Sequence, residues 1–283
     1  MAEQGEFGLN DEQLAGHPTI YGANAYAGRT VLISGGAGGI GRATAWLLGR
    51  LGAKIILAGR SAEKLAEATE AMRAKGLTVS GHTVDIREPE SVEALFGEIA
   101  DEGGIDILIN SAGGQFPQAA IDFSTRGWNA VVNTNLNGTW AMMQQAARHW
   151  RDAKRPGSIV SIVVVTEHGL HGVAHTIAAR SGVIGLTRAL AVEWAPLNIR
   201  VNCIAPGVIE TPGWKVYDPK AVEKYPKSNP MMRNGTTWDV AEACAYLSGP
   251  GAGFVTGEVL NVAGGSQLWG ETWTIDRPEY FEG

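Results

Sequence analysis

Cysteine is nearly absent: the 283 residues hold only Cys203 and Cys244. Two thiols so far apart in sequence offer neither a metal-ligand spacing nor a disulfide framework, so both are expected as buried, free thiols. Charged side chains are sparse, at 18%, and lean acidic, with a net charge of −6. Lys and Arg are scattered instead of gathered in a stripe, so no nucleic acid is expected as a partner. No apolar run approaches the roughly 18 residues of a membrane span. The opening MAEQGEFGLNDEQ lacks the basic-then-apolar order of a secretory signal, and the closing Tyr280-Phe281-Glu282-Gly283 is not a peroxisomal address. The expectation is a cytoplasmic chain with no membrane partner. Tyrosine is thin as well. None of the six lies between Tyr26 and Tyr217, so the long middle of the chain offers no phenol for acid–base work. Hydrophobic residues, at 45%, and 38 glycines are plentiful, enough for a sizeable core with tight turns.

The stretch TVLISGGAGGIGRATA, Thr30 to Ala45, organises the rest. A short β-branched run leads into glycines, and the glycines lead into a helical pattern: strand, tight turn, helix start. Gly35, Gly39 and Gly41 stand in the spacing G-x-x-x-G-x-G. Such a turn lets a pyrophosphate lie against main-chain N–H groups at a helix N-terminus, where partial positive charge adds to the attraction. A tight turn with no ligand is the plainer alternative on this stretch alone.

Downstream, strand and helix patterns alternate. Strands are predicted over 53–58, 78–84, 105–109, 158–165, 199–204 and 258–262. Ser61 is placed to cap one helix. Pro89 opens another, whose Val92, Leu95, Phe96 and Ile99 form an i, i+3, i+4, i+7 stripe. Residues 126–152 and 178–195 read as helical, and 239–247 as a short helix, whereas 211–236 shows no sustained period. Seven strands separated by helices predict an α/β chain: one domain with a doubly wound parallel sheet and ligands at the carboxyl ends of its strands. Residues 1–27 are expected to be loose at the start and packed over Tyr21 to Tyr26.

By Asn110 several motifs stand in a fixed order: SGGAGGIG at 34–41, Asp85, NSAG at 110–113, Asn135 and APG at 205–207. Together they resemble the short-chain dehydrogenases/reductases over about residues 28–268. The resemblance implies a Rossmann-like subunit, a nicotinamide cofactor and usually a homotetramer. It divides the chain into an N-terminal extension over 1–27, a nucleotide-binding catalytic domain over 28–268 with a substrate lid at about 211–236, and a tail over 269–283. By position, Ser34, Gly35, Gly39, Ile40 and Gly41 match the pyrophosphate loop, and Asp85 and Ile86 the adenine-contacting pair. Asn110, Ala112 and Gly113 match the segment beside the ribose, and Pro206, Gly207, Val208 and Thr211 the strip beside the nicotinamide. At the end of the second strand, Gly59 and Arg60 replace the Asp usual in NAD-dependent relatives. A small neutral residue beside a guanidinium suits a 2′-phosphate, so NADP(H) is expected over NAD(H). Arg60 as a solvated charge at a helix start is the alternative.

The catalytic motif departs from the family. Relatives carry Tyr-x-x-x-Lys at the start of the long helix, with a Ser about thirteen residues earlier. In the matching positions stand Thr176, Arg180 and Val164. A threonine hydroxyl is far too weak an acid to replace a phenol, but it can donate a hydrogen bond to a carbonyl oxygen. Arg180 does not exchange its proton, but it can hold ribose hydroxyls and stabilise negative charge. Oxyanion stabilisation suits such a site better than alcohol deprotonation. The segments AGGQF at 112–116 and HTIAARSGV at 175–183 resemble trans-2-enoyl-CoA and 2,4-dienoyl-CoA reductases. They also resemble bacterial enzymes of citronellol/citronellal oxidation.

Other candidates complete the expected site. His168, His171 and His175 follow the fifth strand, and His175 is a candidate acid or a structural histidine. No carboxylate completes a metal set with them, so no metal is expected. Asn135 holds either a water chain or the fold. Gln115, Phe116 and Trp214 are candidates to contact substrate, or else to pack among themselves. The leading expectation is an NADP(H)-dependent reductase of the C=C bond of an enoyl-CoA-like substrate. A dehydrogenase of hydrophobic or terpenoid alcohols and aldehydes is the runner-up, and a non-catalytic cofactor-binding relative the third reading.

Overall fold

Most main-sheet strands in the computed structural model, which describes residues 7–217 and 219–269, are short apolar runs; the edge strand Val79–Thr83 (VSGHT) is not. The six-residue helix α1 (Asp11–Gly16) precedes the first of them. Then β1 (Thr30–Ser34), α2 (Gly39–Arg50), β2 (Lys54–Gly59), α3 (Ala62–Ala74), β3 (Val79–Thr83), α4 (Pro89–Asp101) and β4 (Ile107–Asn110) alternate strictly. Helix α5 (Thr125–Val132) runs through a π-helical segment, Asn133–Gly138, into α6 (Thr139–Ala153). Strand β5 (Gly157–Ile162), helix α7 (Ala174–Trp194) and strand β6 (Ile199–Pro206) follow. The two-residue strands β7 (Ile209–Glu210) and β8 (Gly235–Thr236) pair with each other, with the single-turn helix α8 (Pro219–Val222) between them. Helix α9 (Thr237–Ser248) and strand β9 (Val259–Val262) complete the body.

The main sheet runs β3-β2-β1-β4-β5-β6-β9, parallel throughout, which is the doubly wound architecture expected. Side chains alternate across it with the strand period of two. Ile33, Leu57 and Ile109 pack with α2, α3 and α9 on one face, while Leu32, Ile56 and Leu108 pack with α4, α6 and α7 on the other. The Ser61 cap on α3, Pro89 at the start of α4 and the buried stripe of Val92, Leu95, Phe96 and Ile99 stand where the sequence places them.

Three differences from the expected layout matter for the site and its surroundings. Strand β5 ends at Ile162, not Val165: its ladder with β4 stops at Ser161 and its ladder with β6 at Ile162. Helix α7 begins at Ala174, four residues before its expected start. Residues 1–6, the start of the N-terminal extension, lie outside the described residues, and from residue 7 the extension is tied to the body at several points. An Asn10/Gln13 capping box starts α1, Asp11 accepts from Arg42 Nε at 2.9 Å and from Trp46 Nε1 at 2.7 Å, and Leu14 is buried. The Tyr26 hydroxyl bonds the Ala245 carbonyl and Ser248. Both cysteines are buried and free; burial pushes the Cys203 thiol up to about 11 and the Cys244 thiol to about 12. Of the expected tail over 269–283, everything after Trp269 lies outside the described residues. Among the described residues, no helix is long and apolar enough to cross a membrane, and no three His, Cys, Asp or Glu side chains group as metal ligands do.

Candidate active site

Strand order reverses between β1 and β4, and at such a point the loops leaving the two strands diverge and open a crevice. The register sets Ser34 opposite Asn110, and Asn110 opposite Ser161, in one row along its floor. Gly35 turns the chain with φ +71°, and a Cβ there would lie 2.8 Å from Ala112 Cα. At Gly41 a Cβ would stand 2.4 Å from the Gly35 carbonyl oxygen. The glycines therefore let α2 start hard against the sheet. Gly38 caps α2 without any side-chain acceptor, so the first helical N–H groups carry no internal cap. Ile40 and Thr211 sit beside this turn, Thr211 Cγ2 lying 3.7 Å from where a Gly39 Cβ would be.

At one end of the crevice, β2 delivers Gly59 and Arg60 while the exit of β3 delivers Asp85 and Ile86. Arg60 is exposed and makes no hydrogen bond or ion pair with any described residue. Arg87, which the sequence reading passed over, donates from Nε to Asp85 Oδ1 at 2.9 Å. That bond holds the Asp85 carboxyl below the usual carboxylate range, with the Arg60 charge adding to the effect. Ile86 is buried against Gly138 in the π-helical segment.

In the middle, Asn110 donates from Nδ2 to Ser161 Oγ at 3.2 Å, and its Oδ1 has no partner among the described residues. Arg180, on the second turn of α7, is buried with 7% exposure. Its guanidinium donates only to the Ala112 carbonyl, at 3.3 Å, and one terminal nitrogen is buried with no acceptor. Gly113 makes the room: a Cβ there would lie 2.1 Å from that guanidinium. Among the described residues no carboxylate pairs with it, and burial lowers its pKa to about 10. Asn135 spans the same loop, accepting from Gly114 N and donating to Gly114 O, both at 3.0 Å. Its carboxamide thus fixes the β4 exit.

The His175 ring is fully buried. It stacks on Phe123 at 4.5 Å and meets the edge of Phe116 at 4.6 Å. Its Nδ1 accepts the Thr176 N–H at 2.8 Å and lies 3.3 Å from the Thr176 hydroxyl. Burial lowers its pKa, which keeps the imidazole neutral around neutrality. His168 and His171 are exposed, His168 Nε2 lying 3.0 Å from the Ser266 carbonyl, so the three histidines do not form one cluster.

Pro206, Gly207 and Val208 leave β6 towards the lid, and Gly207 N donates to Val262 O at 3.0 Å. Trp214 turns into an aromatic group of the lid, 5.1 Å from Tyr225 and 5.6 Å from Phe7 of the extension. Gln115 reaches from the β4 exit to the Tyr217 hydroxyl, 2.5 Å away. The sequence reading did not find Tyr217, Phe123 or Phe7. The aperiodic lid gives no pattern from which to place a side chain, and the only sign of Tyr217 was its standing after so long a gap in tyrosines.

Residues 35–267 match the family model described as enoyl-(acyl carrier protein) reductase. The chain is 36% identical over 246 residues to a probable 2,4-dienoyl-CoA reductase [(2E)-enoyl-CoA-producing] of Bacillus subtilis, covering 85% of this chain and 97% of that protein. The solved citronellol catabolism dehydrogenase of Pseudomonas aeruginosa is 35% identical with a TM-score of 0.79, covering 88% of this chain and 99% of its own. An actinorhodin polyketide ketoreductase solved with NADPH is 31% identical with a TM-score of 0.80, covering 88% and 100%.

Proposed function

The chain belongs to the short-chain dehydrogenases/reductases, oxidoreductases that bind a nicotinamide cofactor, and from that premise we propose that it is an NADP(H)-dependent reductase of the C=C bond of an enoyl-CoA-like substrate. The observation that carries this reading is Arg180, a buried cation that has, among the described residues, no carboxylate partner and a terminal nitrogen without an acceptor, beside the β4 exit. A buried charge of that kind is costly unless a ligand completes it.

The crevice fits the cofactor on its own geometry. The uncapped start of α2 and the glycine turn hold the pyrophosphate through Ser34, Gly35, Gly39, Ile40 and Gly41. Arg60, with no partner of its own beside Gly59, takes the 2′-phosphate, and Asp85 and Ile86 border the adenine. Asn110, Ala112, Gly113 and Arg180 hold the nicotinamide ribose, and Pro206, Gly207, Val208 and Thr211 border the ring. Bound there, the cofactor supplies hydride. The residues of this chain do the rest. Thr176 donates to the developing enolate oxygen, Arg180 lowers the energy of the negative charge, and Asn135 and His175 keep the loop and the start of α7 in place. Gln115 and Phe116 line the substrate side, with Trp214 backing the lid.

A dehydrogenase of citronellol-type alcohols and aldehydes is the second reading, favoured by the 35% identity to the citronellol catabolism dehydrogenase. We place the protein in the cytoplasm as a homotetramer. NADPH oxidation by the purified protein with crotonyl-CoA, a longer enoyl-CoA and citronellal tests the function. Turnover of the enoyl-CoAs supports it, activity on citronellal alone reverses the two readings, and cofactor binding without any turnover leaves the non-catalytic one.

A further inference from the structure

We propose that Tyr217 of the lid is the proton donor of this site, doing the work of the phenol that α7 lacks, and that Gln115 is the positioning residue that aims it. The inference rests on the reductase reading above and supplies its missing acid. The Tyr217 oxygen lies 2.5 Å from Gln115 Nε2. An amide nitrogen has no lone pair to offer, so Gln115 donates and the phenol oxygen accepts, which leaves the phenolic hydrogen free for a third atom.

Both sides of the phenol are fixed. In front, Gln115 follows Gly113, which abuts the Arg180 guanidinium, and Gly114, which the Asn135 carboxamide holds through two 3.0 Å bonds. The Tyr217 hydroxyl is therefore tied to the same loop that borders Arg180. Behind it, Tyr217 meets Tyr225 at 6.2 Å, Tyr225 meets Trp214 at 5.1 Å, and Trp214 meets Phe7 at 5.6 Å. This row of rings backs the phenol from the lid side. Tyr217 is half-buried, so water can return a proton to it.

The rival donors are poorer. The Thr176 hydroxyl is far too weak an acid, and the His175 ring, its Nδ1 accepting from Thr176 and its Nε2 buried without a partner among the described residues, is enclosed by Phe116 and Phe123 away from the water that would return its proton. Hydride addition at Cβ moves the C=C electron pair into an enolate. The O–H bond of Tyr217 breaks, its proton forms the new Cα–H bond, and the phenolate takes a proton from water.

Three measurements test this. Tyr217→Phe removes one oxygen and should lower kcat on the enoyl-CoA substrate about a hundredfold or more, with the NADPH Kd and Tm unchanged. Gln115→Leu should lower kcat less, and the double variant should be no slower than Tyr217→Phe alone, as expected of two groups acting through one proton. Tetranitromethane nitration followed by peptide mapping needs no substrate. NADP+ should shield Tyr217 and leave the exposed Tyr246 of α9 reactive. Wild-type turnover by Tyr217→Phe, or nitration of Tyr217 indifferent to NADP+, overturns the inference. Shielding by NADP+ in a protein that turns over neither enoyl-CoA nor citronellal sinks the substrate reading and keeps the phenol's place in the crevice.

Discussion

Replacing Arg180 by methionine should make the free protein more stable and its cofactor complex weaker. A fall in the Arg180 pKa from 12.5 to about 10 corresponds to about 3 kcal/mol of disfavoured charge in the folded state. Methionine keeps much of the stem's packing and removes that cost, at the loss of the 3.3 Å bond to the Ala112 carbonyl, worth about 1 kcal/mol. The net gain is about 2 kcal/mol, or several degrees of Tm at roughly 2–4 °C per kcal/mol. The sign with pH follows from the same shift. The folded state binds this proton less tightly than the unfolded chain does, so the penalty is fully present below about pH 10 and is relieved as pH rises above it. The advantage of the Arg180→Met variant should therefore be flat near neutrality and shrink in strong alkali. NADPH affinity should fall about ten- to hundredfold, since charge-assisted hydrogen bonds contribute about 1.5–3 kcal/mol. Thermal unfolding with and without NADPH, alongside a fluorescence titration of the cofactor, reads both effects. A free variant that melts well below the wild type would show that Arg180 ties the fold together and does not wait for a ligand.

Arg60→Ala should cost NADPH about ten- to hundredfold in affinity and leave NADH nearly unchanged; a wild type that binds NADH more tightly would refute the phosphate assignment. Thr176→Val should lower turnover about a hundredfold, some 3 kcal/mol, with cofactor affinity kept, as measured by steady-state kinetics and titration. His175→Ala should instead lower Tm, by an amount near 2–3 kcal/mol of stability, because it empties a space between Phe116 and Phe123, while the pH profile of turnover keeps its shape. Arg87→Met removes the side-chain bond that does most to hold the Asp85 carboxyl down, leaving the smaller pulls of the residue-87 N–H and Arg60. The stabilisation from that pair exists above the unfolded carboxylate pKa and is lost as pH falls below it, so the variant should match the wild type in acid and trail it by under about 1 kcal/mol at pH 7 in urea melts. Light scattering at micromolar concentration should show four subunits, and a stable monomer would contradict the assembly.

The sheet was legible because period and punctuation agree along the chain. Apolar runs such as Leu32–Ile33 and Leu108–Ile109 stop at turn residues, and the stripe on α4 is a plain 3.6-residue repeat. The glycine turn was legible because a steric requirement at Gly35 and Gly41 leaves its mark directly in residue type. Asn135 was visible as a residue but not in its work, since its bonds to Gly114 depend on a π-helical segment that no propensity encodes. His175 looked available in the sequence because nothing local announces Phe116 and Phe123 closing over it. The packing of the extension was hidden for a related reason. Asp11 finds Arg42 and Trp46, Phe7 finds Trp214, and such pairings across long stretches of chain carry no period.

The most direct measurement is the fate of deuterium from NADPH labelled at C4 of the nicotinamide ring, followed by mass spectrometry and NMR of the product. With an enoyl-CoA, the product should be a saturated acyl-CoA that carries the label at Cβ and a solvent proton at Cα. Label found on a former carbonyl carbon, in an alcohol, would contradict it.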